Sequence, residues 1–237
     1  MINSELLKES LKKLDIVYTD EQIEKFNKYY ELLIEWNKKI NLTAITEYDE
    51  VVIKHFIDSI LICYFIDLKG KSLIDVGTGA GFPGIPLKIM NPELNIVLLD
   101  SLNKRIRFLD EVVSELDLKD VTLIHGRAED VAHDKNFRGR FDHSVSRAVA
   151  NLSTLSEYCI PFLKKGGSFI SYKSDKSDGE INDARNAIKV LGSEIERVEE
   201  CLLPGSDIKR KLVVIRKINE VDKRYPRKAG IPGKEPL

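Results

Sequence analysis

Apolar residues recur at helical spacing through the first quarter of the chain. Thr19 is followed three residues later by Gln22, the signature of a capping box, and apolar residues then repeat with a helical period through residue 40. A second helical stretch is predicted over residues 47–66, where apolar residues again share one face. We therefore expect residues 1–66 to form a small helical cap.

From residue 72 the pattern changes to short apolar runs that alternate with helical segments, such as residues 104–116 and 179–191. The runs predict strands at Ser72–Val76, Asn95–Asp100, Val121–His125, Phe141–Ser146 and Gly167–Tyr172. Two further runs, Glu194–Leu203 and Lys211–Ile218, lie too close together for a helical crossover and should form an antiparallel hairpin. Residues 67–219 are thus predicted to form a Rossmann-like α/β domain with a mostly parallel, seven-stranded sheet. This architecture resembles that of class I methyltransferases.

Residues 220–237 form a third segment, rich in proline, glycine and basic residues, that is not expected to hold regular structure alone. The chain has a net charge of −1, but residues 209–237 contain ten Lys/Arg against three Asp/Glu. Positive charge is therefore concentrated where a polyanion could bind it. A solvated tail without a partner explains the same composition.

The three cysteines, Cys63, Cys159 and Cys201, are far apart and contain no Cys-x-x-Cys pair, so no disulfide framework or cysteine-type zinc site is expected. No apolar run is long enough for a membrane span, and the N-terminus lacks a signal-peptide core. We expect a cytoplasmic monomer that binds neither membrane nor metal.

Glycines are concentrated between Asp75 and Gly84, directly after the first predicted strand and before a helix that begins near Pro83. Glycine lets the backbone turn tightly and approach a ligand, and a helix N-terminus offers free N–H groups. Asp100 ends the next strand, where a carboxylate can accept hydrogen bonds from ribose hydroxyls. Together these features predict a site for a nucleotide-like cofactor.

The spacing also fits the NAD fingerprint, because Gly79, Gly81 and Gly84 satisfy G-x-G-x-x-G with Asp100 about 20 residues further on. An NAD-dependent oxidoreductase is therefore one hypothesis. Asp75 precedes the first glycine by two residues, where it would repel a pyrophosphate but could meet a cationic amino group. That favours S-adenosylmethionine over NAD.

A resemblance to a known family covers the whole chain and rests on motifs in a fixed order. They are Trp36-Asn37 with Asn41-Leu42-Thr43, His55 with Asp58-Ser59, Asp75 to Pro86, Leu99-Asp100-Ser101, Gly126-Arg127-Ala128-Glu129, Ser146-Arg147-Ala148 and Tyr225 to Pro232. In these motifs the chain resembles the 16S rRNA guanine-N7 methyltransferases, also called the glucose-inhibited division protein B family.

The resemblance implies an S-adenosylmethionine-dependent enzyme that methylates N7 of a specific guanine, number 527, in 16S rRNA of the small ribosomal subunit. With the glycine loop, it predicts a set of cofactor-binding residues at the carboxyl ends of four strands. They are Asp75, Gly77, Gly79, Phe82, Asp100, Ser101, Leu102, Ala128, Glu129 and Arg147. For Arg147 an RNA contact or a surface salt bridge is the alternative.

Other methylation chemistries fit the sequence less well. Ser146 and Arg147 stand where amine methyltransferases often carry Asp/Asn-Pro-Pro-aromatic, and Cys159 lies in an apolar stretch typical of a core residue. Guanine N7 has no proton to remove, so positioning can supply most of the rate and no catalytic base is predicted. For His55 and Asp58, three residues apart on a helix, a structural hydrogen bond is favoured over catalysis or metal binding.

RNA contacts are expected mainly from cations that meet phosphates. The candidates are Lys209, Arg210, Lys211, Arg227 and Lys228, with Lys104, Arg105 and Lys173 near the rim of the site. A Lys-to-Glu change in the C-terminal segment should weaken methylation and its salt dependence without altering cofactor affinity. A non-catalytic RNA-binding module with a vestigial cofactor loop remains a third hypothesis.

Overall fold

The N-terminal helices begin and end close to the predicted positions. The structure, a computed structural model, describes residues 3–147 and 150–237, so Ala148 and Val149 of the motif after the fourth strand lie outside it. Helix α1 spans Glu5–Lys13 and α2 spans Asp20–Asn37. Thr19 caps α2 with the predicted capping box, in which Thr19 Oγ1 accepts from the Gln22 amide at 3.2 Å.

The second predicted helix, residues 47–66, is helical but changes type along its length. It consists of α3 (Tyr48–Val51), a π-helical segment (Val52–Ile57), α4 (Asp58–Ile60) and a 3-10 segment (Leu61–Tyr64). Within the π-helical segment, the carbonyl oxygens of Lys54 and His55 accept hydrogen bonds from Arg147. A cation that binds helix carbonyls competes with the regular i to i−4 ladder, which explains the wider turn.

All seven predicted strands are present, in a single sheet. They are β1 (Ser72–Val76), β2 (Asn95–Asp100), β3 (Val121–His125), β4 (Phe141–Arg147), β5 (Leu163–Ser174), β6 (Ser193–Leu202) and β7 (Lys209–Lys217). The order across the sheet is β3-β2-β1-β4-β5-β7-β6, with β1 to β5 parallel and β7 antiparallel to both β5 and β6. The predicted hairpin is confirmed, and β7 rather than β6 joins it to the parallel strands. This arrangement confirms the class I methyltransferase fold.

Helices cover both faces of the sheet. They are α5 (Gly84–Met90), α6 (Asn103–Glu115), α7 (Ala128–Val131), α8 (Leu152–Cys159) with a 3-10 turn (Ile160–Phe162), α9 (Asp178–Asp183) and α10 (Arg185–Val190). The helix predicted over 179–191 is therefore two short helices, with Ala184 between them.

Successive side chains of β1 enter two different hydrophobic cores, as a pleated strand requires. Leu73 packs into the core that also contains Phe26, Tyr29 and Phe108, so the N-terminal helices cover this face of the sheet. Ile74 packs into the opposite core with α8 and α10. Among the described residues, no helix combines the length and apolarity that a membrane crossing needs.

The C-terminal segment lies against the α/β domain instead of extending into solvent. Most of it is irregular, as predicted, but Ile231–Lys234 form one helical turn, α11. The Arg138 guanidinium donates to the backbone carbonyls of Val221, Asp222 and Tyr225. Backbone groups of this segment thus find partners on the domain, which the composition alone could not show.

Candidate functional site

The loop between β1 and α5 adopts a conformation that requires glycine. Gly77, Gly79 and Gly81 have φ of +74°, +64° and +94°, in the left-handed region that side chains disfavour. Gly84 is restricted by space instead, since a Cβ there would lie 2.3 Å from Leu98 Cδ2 and 2.8 Å from Asp75 Oδ2. The loop therefore lies across the carboxyl end of the sheet, and at Gly84 its backbone is packed closely against the side chains of Leu98 and Asp75.

Asp75 holds this loop from inside. Its carboxylate is fully buried, and Oδ2 accepts hydrogen bonds from Thr78 Oγ1 at 2.7 Å and from the Gly84 amide at 2.8 Å. Burial raises the pKa of Asp75 to about 7. Asp75 lines none of the cavities described below, so in this structure it braces the loop and has no surface with which to meet a ligand's amino group.

Asp100 is buried at the end of β2 and faces the glycine loop. Its Oδ2 accepts from the Gly79 amide at 2.9 Å and from Arg105 Nη1 at 3.2 Å, and its Oδ1 accepts from the Leu102 amide at 2.9 Å. These bonds hold the ends of β1 and β2 together. Because each carboxylate oxygen has two acceptor positions, Oδ1 retains one for a ligand hydroxyl, and displacement of Arg105 would release another.

Two connected cavities follow the carboxyl ends of β1 and β2. One, of about 400 Å³, is lined by Gly77 to Ala80, Phe82, His55 and Arg147, and the other, of about 270 Å³, by Leu99, Ala128 and Glu129. Both include Gly77, Asp100 and Ser101 in their walls. Leu102, 42% exposed, lines neither cavity and donates its amide to Asp100. The two cavities together form a trough that eight of the ten predicted contacts line. Leu102 and the buried Asp75 do not line it but bond to residues that do.

The smaller cavity contains a residue that the sequence did not indicate. The Gly230 amide, from the C-terminal segment, donates to Glu129 Oε1 at 2.9 Å, and Gly230 lines the cavity with Tyr158. Glu129 is 7% exposed, which excludes an ordinary solvated acid. Burial and the nearby Glu129 carboxylate raise the pKa of Tyr158 to about 12. The C-terminal segment therefore forms one wall of the trough.

Arg147, the last residue of β4, is held by the π-helical segment and by α4. Its Nη1 donates to Asp58 Oδ2 at 2.8 Å, and its Nη2 lies 3.3 Å from His55 Nδ1. Asp58 is buried and also accepts from Arg210 Nε at 2.7 Å. Within the described residues no hydrogen bond joins His55 to Asp58, so that prediction was wrong. The two side chains instead bind the same guanidinium, and the salt bridge is internal, not on the surface.

His55 is fixed in one protonation state by the same contacts. Burial and the adjacent Arg147 lower its pKa to about 4, so the ring is neutral at pH 7. Since arginine only donates, Nδ1 accepts and Nε2 carries the proton, which faces Thr43 Oγ1 at 2.9 Å. The ring stacks on Phe82 with centroids 4.5 Å apart, and the Arg147 guanidinium lies 5.2 Å from the Phe82 ring centre.

A third cavity, of about 560 Å³, begins on the other side of Arg147. His55 and Arg147 line both this cavity and the 400 Å³ cavity. Its remaining wall comes from the π-helical segment, α4, β5, α9 and the β6–β7 hairpin, and contains Lys54, Lys173, Arg210, Asp58 and Glu180. The trough is therefore continued by a space with four basic and two acidic side chains.

Most of the cations predicted to contact RNA phosphates have carboxylate partners in the structure. Arg105, Lys173, Arg210, Lys211 and Arg227 pair with Asp100, Glu180, Asp58, Asp178 and Glu157, respectively. Ion pairs within residues 3–147 and 150–237 do not include Lys104, Lys209 or Lys228. These three remain the best candidates for phosphate contacts.

Cys159 is fully buried, and burial raises the pKa of its thiol well above the usual range, as expected of a core residue. A thiol in this environment is a poor nucleophile. The described residues contain no disulfide, since Cys63, Cys159 and Cys201 are all free.

Comparison with known proteins agrees with this architecture. Solved structures with the same fold include M. jannaschii TYW2 in complex with AdoMet (TM-score 0.53, 16% identity, 65% of this chain and 72% of that chain). Another is a ribosomal protein L11 methylase from Lactobacillus delbrueckii subsp. bulgaricus (TM-score 0.52, 17% identity, 68% and 77%). At these identities the likeness concerns the fold alone.

Sequence relatives define the family. The Ribosomal RNA small subunit methyltransferase G of Acetivibrio thermocellus is 51% identical over 232 residues, which cover 98% of this chain and 96% of that protein. The protein of the same name from Lactococcus lactis subsp. cremoris is 50% identical over 230 residues, with 96% of each chain covered. The profile of the family described as GidB, rRNA small subunit methyltransferase G, matches residues 22–213. The chain is therefore a member of the rRNA small subunit methyltransferase G family.

Proposed function

We propose that the protein transfers a methyl group from S-adenosylmethionine to N7 of a specific guanine, number 527, in 16S rRNA. The observation that carries the proposal is the trough along the carboxyl ends of β1 to β4, together with the cationic cavity that adjoins it at His55 and Arg147. A transferase for two large substrates needs two adjoining sites of this kind. The activity and RNA of the relatives named above support the assignment.

The trough has the features that each part of the cofactor would need. Ala128 and Glu129 suit the adenine, because a small side chain leaves room for the ring and Glu129 or its backbone can bond the amino edge. Asp100 suits the ribose. The methionine part would lie along Gly77 and Gly79 toward Phe82, where the carboxyl end of the sheet offers backbone amides.

No general base is included in the proposed mechanism. Held by the residues of the trough, S-adenosylmethionine would supply a methyl group on a sulfonium, and attack by the N7 lone pair would break the C–S bond with its electrons left on sulfur. The positive charge moves to the purine, and no proton leaves N7. His55 lines the 400 Å³ cavity, but its unprotonated nitrogen, Nδ1, accepts from Arg147 and is not free to act as a base. Alignment of the two substrates is then the main source of rate, worth roughly 7–11 kcal/mol in well-oriented systems.

The test combines binding and transfer. Isothermal titration with S-adenosylmethionine, S-adenosylhomocysteine and NAD should show binding of the first two, and tritiated methyl should enter 16S rRNA prepared without this modification. N7-methylguanine is then mapped by its sensitivity to borohydride and aniline cleavage. NAD binding without label would instead support a dehydrogenase, and RNA binding without label would support a non-catalytic module.

A further inference from the structure

The 560 Å³ cavity beyond Arg147 lies outside the part of the trough that the proposed cofactor would occupy. Its wall is built from Tyr172, Lys173 and Ser174 of β5, Glu180 of α9, and Ile208 and Arg210 next to the hairpin. The volume is within the range of small-ligand sites. His55 and Arg147 line both this cavity and the cofactor trough, so a group bound here would lie next to the trough.

The two carboxylates in this cavity differ in what they can offer a ligand. Asp58 is 1% exposed, and both its oxygens are bonded to Arg147 and Arg210. Glu180 has a side chain that is 32% exposed, and its hydrogen bonds to residues in the described part of the chain use only Oε1. Glu180 is thus the carboxylate that a bound molecule can contact.

Glu180 is held in place next to a cation. Its Oε1 accepts from the Leu152 amide at 2.6 Å and from Lys173 Nζ at 2.6 Å, and Lys173 also donates to the Ala150 carbonyl at 3.1 Å. The Lys173 side chain is only 9% exposed, so the pair is preorganised at the wall. It presents a hydrogen-bond donor and an acceptor side by side.

This pattern is complementary to the Watson–Crick edge of guanine. Uracil also places an acceptor, O4, beside a donor, N3–H, but it lacks the second donor that guanine has at N2. Guanine presents the O6 acceptor beside the N1–H and N2–H donors, whereas adenine presents a donor at N6 beside an acceptor at N1. With its O6 toward Lys173 and its N1–H and N2–H toward Glu180, a guanine directs N7 away from Glu180.

We propose that the 560 Å³ cavity receives the target guanine and that Glu180, with Lys173, is the specificity-determining residue that selects it by its Watson–Crick edge. The inference rests on the proposed function, because it assigns the base of that same reaction. Aromatic Tyr172 and aliphatic Ile45 and Ile208 provide apolar wall for the ring. Glu180 takes no part in the bond changes at N7.

The experiment pairs a base change with a side-chain change. Small subunits are reconstituted with 16S rRNA in which the target guanine is replaced by inosine, which lacks only the N2 amino group. We compare kcat/KM on guanine and inosine for the wild-type enzyme, Glu180→Gln and Glu194→Gln, which changes an exposed glutamate near the start of the edge strand β6 that lines none of the cavities described above. For each enzyme, kcat/KM on guanine is divided by kcat/KM on inosine, and this preference is compared between enzymes. Any effect of inosine on the RNA itself is the same for all enzymes and cancels in that comparison.

The wild-type enzyme should prefer guanine by about 10- to 100-fold, the usual range for one charge-assisted hydrogen bond. Glu180→Gln should reduce that preference severalfold, with unchanged S-adenosylhomocysteine affinity, while Glu194→Gln keeps it. If Glu180→Gln does not fold, Glu180→Asp, which keeps the charge but shortens the reach, must reduce the preference.

Equal rates of the wild-type enzyme on guanine and inosine refute the inference without any variant. So does a folded Glu180 variant that keeps the wild-type preference. If the wild-type enzyme places no methyl on N7 of guanine, it is the proposed function that fails.

Discussion

Replacement of Arg227 by alanine tests whether the C-terminal segment is part of the folded enzyme. Glu157 is completely buried in α8, and Arg227 binds it through the backbone amide at 2.7 Å, through Nε at 3.0 and 3.2 Å and through Nη2 at 2.7 Å. Arg227→Ala removes all of these bonds except that of the backbone amide. It leaves a buried carboxylate without a counter-charge.

The expected loss of stability follows from that arrangement. Breaking a buried ion pair by removing one partner costs about 3–5 kcal/mol. The Arg227 side chain is 25% exposed, and the segment can lift to let water reach Glu157, so we expect the free energy of unfolding to fall by about 2–3 kcal/mol. For a chain of this size that corresponds to a melting temperature lower by roughly 4–12 °C.

The assay is thermal unfolding followed by titration with S-adenosylhomocysteine. Because Gly230 donates to Glu129 and lines the smaller cavity, a lifted segment should also weaken ligand binding. Lys228→Ala is the matched control, since it removes a neighbouring positive charge that none of the described ion pairs includes. In a Glu157→Gln background, Arg227→Ala should cost less, because the neutral amide needs no counter-charge.

Equal melting temperatures and equal affinities for the Arg227 and Lys228 variants would refute this reasoning. The segment would then be a tail with no role in the trough. If Arg227→Ala lowers the stability but leaves the affinity for S-adenosylhomocysteine unchanged, the ion pair stabilises the fold but does not affect cofactor binding.

Three further predictions concern the glycine loop and the basic residues. Gly84→Ala should lower the free energy of unfolding by about 1–3 kcal/mol and weaken S-adenosylhomocysteine binding, because its Cβ meets Leu98 at 2.3 Å, whereas Gly179→Ala, which meets nothing within 4 Å, should not. The pKa of Asp75, raised to about 7, means that the folded state keeps this proton while the unfolded state loses it. Stability should therefore fall from about pH 4 to pH 7, by about 4 kcal/mol at most, and level off above, and melting curves of Asp75→Asn should lack this component. Lys228→Glu should weaken rRNA methylation and reduce its salt dependence at unchanged cofactor affinity, and equal salt slopes would contradict a phosphate contact.

The strands and the closing hairpin could be predicted because each depends on local pattern. Short apolar runs, interrupted by helical segments and ended by a close pair of strands, allow few arrangements of a sheet. The start of β5 was missed, because Lys164 to Gly167 has the composition of a turn. In the sheet, Leu163 pairs with Phe141 across a register shift, so the strand begins four residues earlier than predicted.

Residues of the candidate site could be predicted where a glycine-rich turn or the carboxyl end of a parallel strand marks them. Contacts between residues far apart in the sequence could not be predicted. Gly77 and Asp100 follow from the requirement that ligands of a parallel sheet bind at the carboxyl ends of its strands. The Asp75 argument considered only the charge of a ligand and not burial, which directs this carboxylate into the loop. No local pattern pairs Glu129 with Gly230, 101 residues later.

The basic residues near the C-terminus also have partners that are remote in sequence. These pairs change how the charge distribution of the chain should be interpreted. Composition left the C-terminal basic residues open to either a polyanionic partner or a solvated tail, yet Arg210 and Arg227 bind the buried carboxylates of Asp58 and Glu157, which are 152 and 70 residues away. A buried carboxylate needs a counter-charge, so part of the positive excess is required by the fold itself. The cations that remain, Lys209 and Lys228 among them, are fewer than the sequence suggested. An electrostatic contribution to RNA binding should therefore be sought in those residues and not in the net charge of the segment.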